Sequence, residues 1–280
     1  MVCFYKRRKA QLEWLIGLAG SSCIAAAAYW KKSLSLSGAL AAVVLGTAMY
    51  GLASAAWFGT LIAFFVSSSM LSKLKAKRKE EAEQGYAKGS RRDWGQVAAN
   101  GGLGLLACIA NAVWASELWW FLFLGVMATV NSDTWATEIG GLSKGEPRFI
   151  LTGKRVAPGT SGGITKLGLA ASLLGGAFIG LVGGGLGEWG DADQFARGWM
   201  AYSLLGAASG LLGALIDSVL GATAQVMYRC EHCGKTVEKP VHCGQKARQI
   251  RGLRFMSNDA VNALSSLVGG FICLGFSFLL

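Results

Sequence analysis

The chain has 280 residues, 52% hydrophobic and 15% charged, with a formal net charge of +11. A soluble domain carries about a quarter charged residues, so this composition excludes an ordinary soluble globular fold. The apolar stretches are continuous rather than alternating, which argues against a β-barrel. The seven cysteines are too scattered for a disulfide framework.

The expectation is therefore an all-α fold: a polytopic transmembrane helical bundle of about 7–8 spans, each near the length that crosses a bilayer, in a single integral membrane domain over residues 1–280. The chain opens with Lys6-Arg7-Arg8-Lys9 and an apolar run near 12–30. That resembles the charged and apolar regions of a signal peptide. The run is long for a signal, and Lys31-Lys32 follow it, so a retained first span is expected. Two further spans are expected near 36–52 and 53–71. The charged stretch from Lys73 to Glu81 reads as solvated loop, but Arg91 to Gln96, directly before the next span, is less easily read that way. A fourth span, near 97–114, begins unusually with Asn100-Gly101-Gly102. A fifth, near 118–138, runs into Val130-Asn131-Ser132-Asp133-Thr134-Trp135-Ala136-Thr137-Glu138. Trp114, Trp119 and Trp120 suit a membrane interface. A sixth span, near 167–186, offers Gly168, Gly175, Gly176 and Gly180 as packing contacts. The acidic connector Glu188-Trp189-Gly190-Asp191-Ala192-Asp193 leads to a seventh span near 199–227. A basic, cysteine-bearing loop and a last span near 260–280 complete the chain.

The basic loops at 73–95, 140–165 and 228–255 are separated by pairs of spans, so all three fit one side, expected to be cytoplasmic at the cell (plasma) membrane. The acidic connector then lies opposite. Eight spans would put Lys6–Lys9 outside; either the first span is not a full crossing or the terminus departs from the rule. Because the positive charge lies in loops between spans, nucleic acid is not expected as a partner. Inside-positive bias accounts for the charge first, and an anionic substrate or anionic headgroups second. The partners expected are the lipid bilayer and an anionic substrate, and self-association into a homo-oligomer remains open.

The centre of the chain carries the chemistry. A carboxylate at the end of a span is costly unless paired, hydrated or metal-bound. Asp133 and Thr137 share a helix face, as do Thr134 and Glu138. The structural alternative is a helix cap, since Asn131, Ser132 and Asp133 are all good N-cap residues. The loop that follows holds Lys144, Arg148, Lys154 and Arg155 against one acid, Glu146, and then Gly159-Thr160-Ser161-Gly162-Gly163. Glycines let a backbone approach a ligand, and a helix starting near Ile164 would add a partial positive charge. These are the needs of a di- or triphosphate, although no Walker A pattern occurs. An ordinary Gly/Ser turn between helices is the alternative. Asp217, Gly221 and Gln225 form a polar stripe within the seventh span; function is the first reading and an interhelical hydrogen bond the second. Ser257-Asn258-Asp259 opens the last span, and Asn262 shares a face with Asn258 and Asp259, a second candidate for metal or phosphate contact. Cys230, Cys233, His242 and Cys243, with His232 as the other possible imidazole, resemble a structural zinc knuckle, against the alternative of unliganded thiols.

The run Asn131-Ser132-Asp133-Thr134-Trp135-Ala136-Thr137-Glu138-Ile139-Gly140, with Pro158-Gly159-Thr160-Ser161-Gly162-Gly163, resembles the membrane family catalogued as domain of unknown function ninety-two, which includes plant phytyl-phosphate kinases and animal transmembrane protein nineteen. The resemblance extends to Arg92-Asp93-Trp94-Gly95-Gln96-Val97 with Asn100, to Asp217 through Gln225, and to Ser257 through Asn262. It covers nearly the whole chain from about Leu34. It implies a CTP-dependent kinase that converts a prenyl monophosphate to the diphosphate, with kinship to magnesium-dependent phytol and dolichol kinases and CDP-diacylglycerol synthases. On this reading Mg²⁺ is bound through Asp133, with Asp217 or Asp259. Lys154, with Lys144, Arg148 and Arg155, neutralises phosphates; Gly159–Gly163 orient the transferred group; Arg92, Asn100, Thr134 and Glu138 complete the substrate and nucleotide contacts. The rival functions are transport of an anionic or lipid-linked substrate, and a non-catalytic role in membrane assembly.

Overall fold

The computed structural model describes residues 2–73, 88–190 and 197–280, with residues 2–10 and 189–190 as backbone alone. The side chains of Lys6-Arg7-Arg8-Lys9, most of the charged stretch after Lys73, and Asp191-Ala192-Asp193 lie outside the described residues.

Among the described residues there are eight helices: α1 (Val2–Trp30), α2 (Leu36–Leu52), α3 (Ala55–Leu71), α4 (Trp94–Val113), α5 (Glu117–Gly140), α6 (Lys166–Gly190), α7 (Trp199–Thr223) and α8 (Asn258–Ser277). Five helices are long and apolar enough to cross a membrane: Gln11–Trp30 within α1, then α4, Lys166–Glu188 within α6, α7 and α8. Helices α2 and α3 are apolar but shorter. The outward faces of α2, α4, α6, α7 and α8 carry large exposed apolar side chains, among them Leu40, Val44, Leu106, Leu174, Leu204 and Phe271. A surface of that kind is matched by lipid rather than water.

Helix α5 differs in kind. It packs against α3, α4, α6, α7 and α8, and from Trp120 to Ser132 nearly every residue is buried. A helix enclosed by protein on all sides needs no lipid-facing apolar run, so it tolerates polar residues that find partners. Asn131 Nδ2 donates to Gly175 O at 2.8 Å, and its Oδ1 accepts from Ser67 Oγ at 3.1 Å. Ser132 Oγ donates to Ser172 O at 2.7 Å. Asn131 and Ser132 are therefore mid-helix cross-links rather than caps; the N-cap is Ser116, whose Oγ accepts from Leu118 N at 3.3 Å. The interface role expected of Trp120 is also corrected: it is 2% exposed and stacks edge-on against Trp57 at 5.2 Å.

Helices α6 and α7 approach so closely that a Cβ on Gly176 would lie 2.2 Å from Gly206 O, and one on Gly180 2.0 Å from Tyr202 O. Both glycines were expected at a packing contact, and backbone contact is the reason.

Two corrections concern the connections. The fold is not purely α. Short strands β1 (Arg148–Phe149) and β2 (Gly163–Ile164) pair antiparallel in the central loop. A small lobe between α7 and α8 holds β3 (Met227–Arg229), β4 (Thr236–Val237), β5 (Val241–His242), β6 (Gln245–Lys246) and β7 (Arg248–Arg251), ordered β4-β3-β7 with β5-β6 beside them. Helix α7 ends at Thr223, short of the expected 227. There the chain exchanges helical hydrogen bonds for pairing with the segment before α8: Leu253 N donates to Ala224 O at 3.0 Å and Val226 N to Met256 O at 2.9 Å.

Candidate functional site

The connections after α3, α5 and α7 and the starts of α4 and α8 meet at one end of the bundle, around a cleft of about 350 Å³. At the opposite end Arg197 donates to Ser277 O and lies 3.4 Å from Glu117. Each wall of the cleft is set by local structure. Helix α5 supplies Asp133 and Thr134 directly after its buried Asn131–Ser132 anchor, and Glu138 further along. Helix α7 supplies Asp217, which accepts from Ser265 Oγ at 2.8 Å. Asp133 and Asp217 lie within electrostatic reach of each other. Among the described residues no basic side chain forms an ion pair with either.

Helix α4 begins with a capping box, in which Asp93 accepts from Gln96 N at 2.9 Å and Gln96 Oε1 accepts from Asp93 N at 3.1 Å. One turn on, Asn100 lines the cleft, its Oδ1 buried without a donor among the described residues. Arg92 is 8% exposed. Its guanidinium lies over Phe64 and Phe65, each at 5.7 Å, and donates to Ser69 Oγ at 2.9 Å. Its backbone pairs with Ser33 and Ser35. Burial pushes its pKa below the usual arginine value, partly offset by the charge of Glu138.

The side chain that sequence reading missed is Lys88. It lies 2.5 Å from Asp259 Oδ2 and 2.9 Å from Asp93 Oδ1, and it borders the cleft. Burial opposes its charge, but the two carboxylates outweigh that and hold its pKa above the ordinary value of 10.5. Asp93 is held below 3.8: burial works the other way, and hydrogen bonds from Gln96 and Lys88 overcome it. Asp259 is therefore engaged by a lysine at the cleft mouth. Nothing periodic marks Lys88, which stands a few residues after a charged stretch; its only signal is standing five residues before the helix cap at Asp93.

The glycine loop closes the cleft from Pro158 to Ile164. Gly159 and Gly162 have φ of +80° and +85°, and a Cβ on Gly162 would lie 2.6 Å from Ala222 Cβ. Only glycine fits there. Ser161 Oγ donates to Gln225 Oε1 at 2.6 Å, and Thr160 Oγ1 to Ala157 O at 2.7 Å. Helix α6 starts at Lys166, at the start of the span expected near 167 and two residues past Ile164, with Gly168 N donating to Thr165 Oγ1 at 2.9 Å.

Four basic residues expected around the phosphates do not border the cleft. Lys144, Arg148, Lys154 and Arg155 are exposed. Arg148 Nη1 donates to Gly153 O at 3.0 Å and Arg155 lies 3.7 Å from Glu146. Of that segment Gly145 and Pro147 border the cleft, and among the described residues Lys88 and Arg92 are the cations that line it.

A second opening, narrow and apolar, lies among α1, α2, α3 and α4. It is lined by Ile24, Leu45, Phe58, Leu61 and Phe65, and reaches the cleft residues Arg92, Gln96 and Asn100.

In the β lobe the ligand atoms of Cys230, Cys233, His242 and Cys243 lie within 4.8 Å of one another. The Cys233 N–H and the His242 ring lower the Cys230 thiol to about 6. Cys243 is pushed up to about 11 by burial first and by Cys233 and Cys230 next.

The fold and cleft define a polytopic helical membrane protein with paired carboxylates and paired cations in one polar cleft. The chain matches the family described as Integral membrane protein DUF92 over residues 19–270 and belongs to it. It is 35% identical to Protein PGR of Arabidopsis thaliana over 279 residues, covering 94% of this chain and 95% of that one. It is 27% identical to Uncharacterized membrane protein MJ0933 of Methanocaldococcus jannaschii, covering 76% of this chain and 72% of that one. It is 25% identical to Protein VTE6, chloroplastic, of Arabidopsis thaliana, covering 86% of this chain and 64% of that one. No solved structure matches.

Proposed function

We propose that this protein is a membrane-embedded phosphotransferase that moves the terminal phosphoryl group of CTP, or another nucleoside triphosphate, onto a prenyl or phytyl monophosphate. One observation carries the reading: a polar cleft, with two carboxylates lacking a basic partner among the described residues, meets an apolar slot at Arg92, Gln96 and Asn100. A polar head on an apolar tail fits that junction. The family resemblance points to the same chemistry.

Asp133 and Asp217 suit Mg²⁺, since both offer hard oxygen donors whose charge no described basic residue neutralises. When bound there, the ion would supply charge neutralisation for the donor phosphates. Lys88 and Arg92 draw the acceptor phosphate to the mouth of the slot. The Gly159–Gly163 backbone borders the donor phosphates, and Asn100 presents an acceptor to the nucleotide or to a phosphate-bound water. An oxygen of the acceptor monophosphate attacks the terminal phosphorus. The bond to the nucleoside diphosphate breaks, and CDP and the prenyl diphosphate leave. The attacking oxygen is already ionised, so positioning and charge stabilisation suffice; no histidine borders the cleft among the described residues. The slot is narrow, about 50 Å³, so a tail entering from the bilayer must part α1 to α4. We place the protein in the cell membrane with all eight helices crossing and the cleft toward the cytoplasm, where nucleotides are.

The test is purified protein with Mg²⁺, labelled CTP and a series of prenyl monophosphates. Label appearing in the prenyl diphosphate supports the kinase. No transfer and no nucleotide binding rejects it, and substrate flux into vesicles without transfer would establish the transporter.

A further inference from the structure

The β3–β7 lobe carries four soft ligands that phosphoryl transfer does not use. We propose that Cys230, Cys233, His242 and Cys243 bind one Zn²⁺, and that this zinc holds the lobe where Glu238 fixes the glycine loop. The geometry is close to that of a tetrahedral site. Cys233 Sγ lies 3.5 Å and Cys243 Sγ 3.2 Å from His242 Nδ1. Zn–S of about 2.3 Å and Zn–N of about 2.1 Å place S and N roughly 3.6 Å apart.

Two tight turns present the ligands to one point. In the first, Cys230 N donates to Lys235 O at 2.9 Å and Gly234 N to Cys230 O at 2.8 Å. In the second, between β5 and β6, Cys243 itself has φ of +49° and Gly244 follows at +73°. A non-glycine residue in that conformation is uncommon and persists only where its surroundings demand it. The lobe has strands of two to four residues, and Met227, Cys230 and Val237 are its buried side chains. So small an apolar core needs a cross-link.

The link to the cleft is a chain of two hydrogen bonds. Glu238 Oε1 accepts from Gln225 Nε2 at 2.9 Å, and Gln225 Oε1 accepts from Ser161 Oγ at 2.6 Å. Glu238 stands between the two ligand pairs, five residues after Cys233 and four before His242. Zinc therefore tethers the chain on both sides of Glu238, and through Gln225 positions Ser161 and its neighbours. Glu238 and Gln225 are positioning residues on this account.

Metal analysis of the full chain purified in detergent should find about one zinc per chain. A Cys230→Ser/Cys233→Ser pair should retain less than about a tenth of it, while Cys23→Ser retains it all. Folding of the double variant need not be assumed: wild-type protein exchanged with Co²⁺ should show the absorption of a tetrahedral thiolate site. Protein that takes up neither ion, or that holds a Cys230–Cys233 disulfide, overturns the site. Hydrogen exchange tests the coupling. Chelating the zinc should speed exchange across Ser161–Gly163 by about tenfold or more; unchanged exchange there overturns the coupling and leaves the zinc. Neither readout depends on kinase activity.

Discussion

Asp133 shows what a single residue reveals and conceals. A carboxylate in an apolar run is legible in sequence, because such a group is costly without a partner. Its facing carboxylate, Asp217, is 84 positions away (217 − 133 = 84), and only folding brings the two together. Asp133→Asn should lower transfer by about 10³-fold, with the melting temperature in detergent preserved; retained activity would remove Asp133 from the chemistry. Lys88 is the converse case, hidden after a charge run and placed at the cleft only by its contacts with Asp93 and Asp259. Lys88→Met should raise KM for the acceptor by about tenfold or more while changing kcat less. The same cluster sets a pH window. The raised pKa of Lys88 means its contribution is full below 10.5 and is lost as pH rises through the folded value. Asp93 is lowered, so its contribution is present above 3.8 and is lost as pH falls through the folded value. Protection against hydrogen exchange at the start of α4, measured relative to the intrinsic rate at each pH, should stay high between those limits and fall beyond them. In Lys88→Met the alkaline limb should vanish; its survival would refute the assignment.

At the scale of elements, α5 and the glycine loop depend on neighbours that pattern reading does not see. Asn131 and Ser132 have the chemistry of caps, yet they cross-link helices, because enclosure of α5 gives mid-helix polar atoms partners on α3 and α6. The basic segment from Lys144 to Arg155 was conspicuous in sequence, yet Gly145 and Pro147 are the parts of it that border the cleft, and its four basic side chains are exposed. Gly162→Ala should destabilise by about 1–3 kcal/mol, since its φ of +85° and the 2.6 Å approach to Ala222 both exclude a Cβ. Thermal unfolding in detergent measures this, and an unchanged melting temperature would contradict it. Gly180→Val should cost more, because its Cβ would lie 2.0 Å from Tyr202 O, closer than the 2.6 Å approach at Gly162, and the larger side chain adds to the overlap.

At the scale of the molecule, the helices alternate in direction so that the connections after α3, α5 and α7 share one end with the cleft. Cysteines placed at Ser143 and Lys235 should label from the same side of a sealed vesicle, and one at Ser116 from the other. Labelling of Ser143 and Lys235 from opposite sides would break this arrangement.

Sequence by itself determined the class: continuous apolar runs too long and too poorly charged for a soluble core specify membrane helices, and the glycines of the sixth span mark their closest approach. It also marked Asp133, Asp217 and the cysteine–histidine group, because each is chemically out of place in its local setting. Tertiary structure alone decided which cations face the carboxylates, since a charge belongs to the cleft by where its backbone turns. It also decided that the span carrying Asn131, Ser132 and Asp133 lies at the centre, where protein takes the place of lipid around its polar atoms.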